Sequence, residues 1–259
     1  MGKIYAGVSI VGDYPKFNWD ADNADTDILS LAKPSYGSAL VNGIPIMYGY
    51  EFKRKVSPSD MRIFRDYIKD NALIDYDVSQ FVDYGIMHLD NMYNLRDLKV
   101  AVHPESKTGA DLISLMSSYL MEYCDEAIVT DFGLIKELYQ DVTFDAEKAK
   151  VALRRLGKPE RMINQTIQNI EKQLDQLKKT DKLFEIKKFL PREIRIGFMD
   201  YLKFANDDER IAYENLQGVD VLVYDDLTTS GTTIGEMRRY LSAINPSNTL
   251  HSFVLLKQY

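Results

Sequence analysis

Val219-Asp-Val-Leu-Val-Tyr-Asp225-Asp226-Leu-Thr228-Thr-Ser-Gly231-Thr-Thr233 is the stretch on which the fold turns. Val219, Val221, Leu222, Val223 and Tyr224 form a short apolar, β-branched run. Such a run fits a parallel strand buried on both faces. Two adjacent carboxylates and a hydroxyl-rich loop follow it. After Gly235, the side chains of Met237, Tyr240, Leu241 and Ile244 share one helical face, and Asn245-Pro246 stops the helix. Leu250 to Leu256 reads as the next strand. The order strand, loop, helix, strand is a βαβ unit, whose ligands sit at the carboxyl ends of the strands.

Thr228 to Thr233 offers five hydroxyls at a helix N-terminus. Backbone N–H groups and the helix dipole favour an anion there. Gly231 lets the backbone approach that anion closely. Asp225 and Asp226 are anions themselves and do not bind phosphate. Vicinal carboxylates suit vicinal ribose hydroxyls, directly or through a hard cation such as Mg²⁺. The alternative is a capped turn, in which the Asp and Thr side chains bond local backbone.

Val221 to Thr233 resembles the phosphoribosyl-pyrophosphate (PRPP) signature of type I phosphoribosyltransferases. Four apolar residues, two acids and two small-to-apolar residues lead into a Thr/Ser-Gly-x-Thr phosphate loop. Two positions depart from the pattern: Tyr224 and Thr228 stand where aliphatic residues are usual. The match covers these thirteen residues, and the rest of the likeness lies in the order of elements. The resemblance implies that Asp225 and Asp226 hold the ribose hydroxyls. Thr229, Ser230, Gly231, Thr232 and Thr233 would cradle the 5-phosphate, with Thr228 beside them. Hypoxanthine–guanine members of the family usually carry an aspartate where this chain has Thr229, which argues against that subclass.

A second strand–loop–helix precedes the first. Leu98 to Val102 is a short apolar strand, Ser106-Lys107-Thr108-Gly109 follows, and Ala110 to Tyr123 is helical. The loop either binds an anion, with Lys107 as a point charge, or is a plain surface turn. In the resembled family a loop at this place holds the pyrophosphate of PRPP, which assigns Ser106, Lys107, Thr108 and Gly109 to that group. Lys107, Asp225 and Asp226 are then the catalytic candidates, and Asp225 and Asp226 the candidate Mg²⁺ ligands.

The 259 residues are 45% hydrophobic, enough for a large core, and the net charge is −7. No basic footprint marks a nucleic-acid partner. The single cysteine, Cys124, excludes an intrachain disulfide and a Cys-based zinc site, and His88, His103 and His251 lack metal-ligand spacing. No signal peptide or membrane-spanning run is visible, so a cytoplasmic protein is expected.

Along the chain, Ile4 to Val11 reads as a strand and Gly12 to Ser38 as irregular. The acidic cluster Asp20 to Asp27 lacks the glycine and terminal glutamate of a calcium loop. Val41 to Phe52 suggests a strand or two around turns at Gly43 and Gly49. Ser57 caps a helix to about Asn71. Ala127 to Thr130 and Ile194 to Met199 read as strands. Asp145 caps a helix that Gly157 ends, and Pro159 opens another. There Ile163, Ile167, Ile170, Leu174 and Leu177 make a heptad stripe that Phe184 continues. The stripe packs either on its own domain or in a coiled-coil homodimer.

The expected fold is therefore α/β and type I phosphoribosyltransferase-like, with a mostly parallel central sheet flanked by helices. One domain would hold an N-terminal hood with the first elements (1–95), a helical insertion (141–188) and the motif half of the core (189–259). Tyr14, Phe17, Trp19 and Tyr36 are candidates for stacking on an acceptor base or for the core of the hood. Arg192, Arg195, Lys203 and Arg210 are candidates for a closing loop or for plain surface positions. Only twenty-six residues follow Thr233, so cover for an acceptor must come from the N-terminal region or the insertion.

By resemblance the activity is transfer of ribose 5-phosphate from PRPP to a nitrogen acceptor such as a nucleobase, with release of Mg²⁺-pyrophosphate. A non-catalytic PRPP- or nucleotide-binding regulator on the same fold is the alternative. An interaction scaffold built on the helical insertion is the third.

Overall fold

The fold is that of a computed structural model described over residues 7–19, 28–31, 38–41, 44–105, 109–124, 130–228 and 231–258. Strands β1 (Gly7–Val11) and β2 (Tyr14–Asn18) form a hairpin around Gly12 and Asp13. β3 (Leu29–Leu31) and β4 (Ser38–Val41) both run antiparallel to β5 (Ile44–Phe52). Helix α1 (Pro58–Asp70) starts where the Ser57 hydroxyl accepts the Asp60 N–H at 3.1 Å. Helix α2 (Tyr76–Tyr93) starts where the Asp75 carboxylate accepts the Asp77 N–H at 2.8 Å. β6 (Val100–Pro104), α3 (Ala110–Tyr123) and β7 (Thr130–Lys136) then make a βαβ unit.

β8 (Thr143–Phe144), α4 (Ala146–Arg155), α5 (Glu160–Leu177), β9 (Phe198–Met199), β10 (Leu202–Phe204) and α6 (Asp207–Glu214) come next. A second βαβ unit of β11 (Asp220–Thr228), α7 (Thr232–Ile244) and β12 (Thr249–Lys257) closes the described chain.

Among the described residues, eight strands share one sheet in the order β10-β7-β6-β11-β12-β5-β3, with β4 also on β5. β7, β6, β11, β12 and β5 are parallel, and β10, β3 and β4 are antiparallel. The architecture is α/β with a mostly parallel central sheet flanked by helices. No helix of the described residues is long and apolar enough to cross a membrane.

β11 lies between β6 and β12, which explains its unbroken apolar run. Val221 and Val223 enter one core with α4, α5 and α7, while Leu222 and Tyr224 enter the other with α1, α2 and α3. All four are fully buried, as the two-residue side-chain period of a central strand requires. From β6 the chain passes through α3 on one face to β7. From β11 it passes through α7 on the opposite face to β12. The strand order thus reverses between β6 and β11, and the helices diverge from that point. A crevice at the carboxyl ends of these two strands follows from the topology.

The heptad stripe of α5 is consumed inside the chain. Ile163, Ile167, Ile170 and Leu174 are buried in the core that holds Val221, Leu177 packs beside them, and Phe184 is buried on the following segment. The insertion packs as part of the fold rather than presenting that stripe to a second copy.

Several expectations need correction. Gly12 to Ser38 is not irregular throughout: it contains β2 and β3, because Gly12 at φ 64° turns a tight hairpin. Gly49 is no turn but lies within β5, where a Cβ would come 3.3 Å from the Gly85 Cα of α2. The strand expected at 98–102 lies at Val100–Pro104, and of the one expected at 127–130 the described residues include Thr130, the first described residue of β7. Ile194 to Met199 is mostly a 3₁₀ turn over Arg192–Gly197. There Ile194 and Gly197 are buried at the three-residue spacing of that helix type. Residues 72 to 97, unassigned from the sequence, carry α2. Ile4 to Ala6, the cluster Asp20 to Asp27, Tyr36, and the first residues of the strand expected at Ala127 lie outside the described residues.

Candidate functional site

Asp225 and Asp226 do not follow the strand; they lie within it, because β11 runs on to Thr228. Asp226 shares the face of Leu222 and Tyr224, where the Lys69 ammonium at the end of α1 forms an ion pair with its Oδ2. Both groups are largely buried, with side chains 9% (Asp226) and 19% (Lys69) exposed. Asp225 accepts the Asp226 backbone N–H at 2.8 Å. Burial, and then the neighbouring Asp226 carboxylate, push the Asp225 carboxyl well above the ordinary aspartate range; Lys69 opposes this weakly. The pair is therefore unequal: one carboxylate faces a cation, and the other tends to keep its proton.

Downstream, the loop closes on itself. The buried Thr228 hydroxyl accepts the Gly231 N–H at 2.9 Å. Gly231 takes the left-handed φ of 67° and serves as N-cap of α7. The helix thus begins at Thr232, earlier than the apolar pattern alone indicates, and Thr232 and Thr233 form its first turn. The Tyr201 hydroxyl donates to the Thr232 carbonyl at 3.1 Å. Burial and the nearby Glu236 push the Tyr201 phenol well up, so it stays a donor. Glu236, buried in α7, accepts the Asp200 N–H at 2.6 Å and two Arg239 N–H groups at 2.8 Å, which ties the 200–201 segment to α7.

The second expected loop meets the first. Gly109, the N-cap of α3, has φ 128°. A Cβ there would lie 3.0 Å from Asp226 Oδ2 and 3.2 Å from Lys69 Nζ. The N-cap of α3 therefore lies beside the carboxyl-terminal part of β11 at the strand-order reversal, and Lys69 from α1 joins them. Ser106, Lys107, Thr108, Thr229 and Ser230 lie outside the described residues. A cleft of about 810 Å³ runs along α7 from Gly231 and Thr232 to Arg239, with α4 and Arg192 as its far wall. Among the described residues, no group of three or more His, Cys, Asp or Glu is placed to hold a metal ion.

The other candidates are spread over the molecule. Phe17 is buried against Phe64 of α1 and Phe81 of α2 and stacks on Trp19 at 6.3 Å, while the Trp19 Nε1–H donates to Asp77 at 2.9 Å. Tyr14 is exposed. Lys203 pairs with Glu137 at 2.8 Å, Arg210 with Glu214 at 3.0 Å, and Arg195 donates to the Phe189 and Lys187 carbonyls.

Sequence reasoning missed Lys69 and Tyr201. A lysine in the last turn of a helix reads as a cation complementing the helix dipole, and nothing local marks it as a partner of Asp226. Tyr201 sits beside the short strand β10 with no motif around it. No protein-family model matches this chain, and no curated protein matches its sequence.

Proposed function

We propose that the crevice between β6 and β11 binds PRPP and that the protein transfers its ribose 5-phosphate to a nitrogen acceptor such as a nucleobase. The observation that carries this reading is the closeness of Gly109, the N-cap of α3, to Asp226 and Lys69, which sets the end of the β6–α3 connection beside the acidic pair. In this type I phosphoribosyltransferase-like reading, the α7 N-terminus with Thr228 to Thr233 takes the 5-phosphate. Asp225 and Asp226 take the ribose hydroxyls. Ser106 to Gly109 take the pyrophosphate, with Lys107 as the charge. The C1–oxygen bond breaks, the acceptor nitrogen bonds C1, and pyrophosphate departs with both bonding electrons. Carboxylates near the sugar and cations near the leaving group suit the oxocarbenium-like transition state. Magnesium enters as the counter-ion of the donor's pyrophosphate. Asp226 is poorly suited to be a resident metal ligand, because Lys69 already neutralises it.

The unequal acidic pair favours a second reading, a non-catalytic regulator that binds PRPP or a nucleotide. A carboxyl whose hold on its proton is raised by burial and by its neighbour, beside a carboxylate paired to lysine, lends less negative charge to a developing cation. Pyrophosphate release from PRPP and Mg²⁺ across a panel of nucleobases separates the two. Transfer predicts acceptor-dependent release that Asp225→Asn and Asp226→Asn reduce at least a hundredfold without unfolding the chain. Binding of PRPP with no release from any acceptor overturns the enzyme and leaves the regulator.

A further inference from the structure

The strap 198–204 joins the helical insertion to the central sheet. At one end β9 pairs with β8, near the start of the insertion, and at the other β10 pairs with β7. Between them Asp200 stands at φ 60°, in the left-handed region that few side chains adopt. Such a residue persists only where its surroundings hold it.

Asp200 is held from three sides. Its N–H donates to Glu236 at 2.6 Å, its Oδ1 accepts Arg239 at 2.5 Å, and its Oδ2 accepts the Thr143 hydroxyl of β8 at 2.6 Å. Tyr201, 4% exposed, donates to the Thr232 carbonyl at 3.1 Å and bonds the Thr233 hydroxyl. Thr232 is the first residue of α7, and its carbonyl already accepts the Glu236 N–H of the helix ladder. The phenol is therefore a second bond on a satisfied carbonyl, and what it adds is position. The first turn of a helix frays readily, because its N–H groups lack partners within the helix. Those N–H groups are what an anion binds, and donors already in place bind it without an ordering cost.

We propose that Asp200 and Tyr201 are positioning residues for the α7 N-terminus, and that Thr143, on the insertion, sets the strap through Asp200. The insertion is thereby a working part of the site rather than an appendage. This rests on the reading of that N-terminus as the 5-phosphate cradle.

The experiment has two arms. In the first, amide hydrogen exchange of the full chain without ligand is followed at three residues of one helix. The Gly235 and Glu236 N–H groups close the first turn onto the Gly231 and Thr232 carbonyls, and the Asn245 N–H bonds the Leu241 carbonyl at the other end of α7. Tyr201→Phe is expected to speed exchange at Gly235 and Glu236 at least tenfold, and Thr143→Val at least twofold, with Asn245 unchanged. Thr143→Ser keeps the hydroxyl and is expected to keep the unaltered rate. Thr143 is exposed and the Asp200 side chain is 43% exposed, so Thr143→Val leaves no buried group unpaired; it decides the matter if Tyr201→Phe does not fold. In the second arm PRPP with Mg²⁺ is titrated into the same chains. Its affinity is expected to fall at least tenfold in Tyr201→Phe and at least twofold in Thr143→Val, and to hold in Thr143→Ser. Unchanged exchange at Gly235 and Glu236, or acceleration spread equally along α7, would overturn the link between strap and helix. Faster exchange with undiminished PRPP affinity would overturn the positioning role. Absence of PRPP binding to the unaltered chain would overturn the proposed function and the positioning role with it, whatever the first arm shows.

Discussion

β6 and β11 are neighbouring parallel strands, and each feeds a helix through a short loop at its carboxyl end, yet the two ends are held differently. At the end of β11 the loop is closed first by its own residues: the Thr228 hydroxyl takes the Gly231 N–H, and Gly231 turns the chain into α7, where the Tyr201 hydroxyl adds one bond to the Thr232 carbonyl. The β6 end is held by partners far away in sequence. Gly109 rests against Asp226 of β11 and Lys69 of α1. The first kind of closure is local chemistry; the second exists only once the sheet has formed.

The largest effect is expected at the shared contact. Lys69→Met leaves the buried Asp226 carboxylate without its cation, and removing one partner of a buried pair costs about 3–5 kcal/mol. Urea unfolding of Lys69→Met, Asp226→Asn and the double variant checks it. The double variant is expected to recover more than half of the Lys69→Met loss, and simple additivity would show that the two side chains are not coupled.

The glycines should rank next. Gly109→Ala is expected to cost about 2–3 kcal/mol, because its new Cβ meets Asp226 and Lys69 at a φ that disfavours side chains. Gly231→Ala should cost about 1–2 kcal/mol, the penalty of a left-handed alanine alone. An equal or reversed order would mean that the β6 end is no more tightly held than the β11 end.

The smallest effect is a gain. The folded chain holds the Asp225 proton more tightly than the unfolded chain does. Stability from this group is therefore intact below the ordinary aspartate value. It falls as pH rises from there toward the raised folded value, and the loss is complete above it. Asp225→Asn removes that loss. Its Tm at pH 8 should exceed that of the unaltered chain. The gain should vanish near pH 4. A fall in Tm at pH 8 would contradict the buried, proton-holding environment.

The same contrast explains what could be read from the chain in advance. The βαβ unit around β11 was legible because apolar runs, adjacent acids, Gly231 and Asn245-Pro246 all act over a few residues. So were α3, the Ser57 cap and the two helices flanking Gly157, whose signals are equally local. The 3₁₀ turn at Arg192–Gly197 was misread as a strand, since its apolar residues suit either form until packing chooses. Lys69 and Tyr201 were invisible, because each acquires its role from elements many residues away. Half of the candidate site, the acids and hydroxyls, was therefore visible, and the half supplied by α1 was not.

The central claim is that the two strand ends form one site for a phosphorylated sugar. Calorimetric titration of PRPP with Mg²⁺ into the unaltered chain, Gly109→Ala and Gly231→Ala tests it most directly. One shared site predicts saturable binding to the unaltered chain and at least a tenfold loss in each variant. Absence of binding to the unaltered chain, or undiminished affinity in either folded variant, would contradict it.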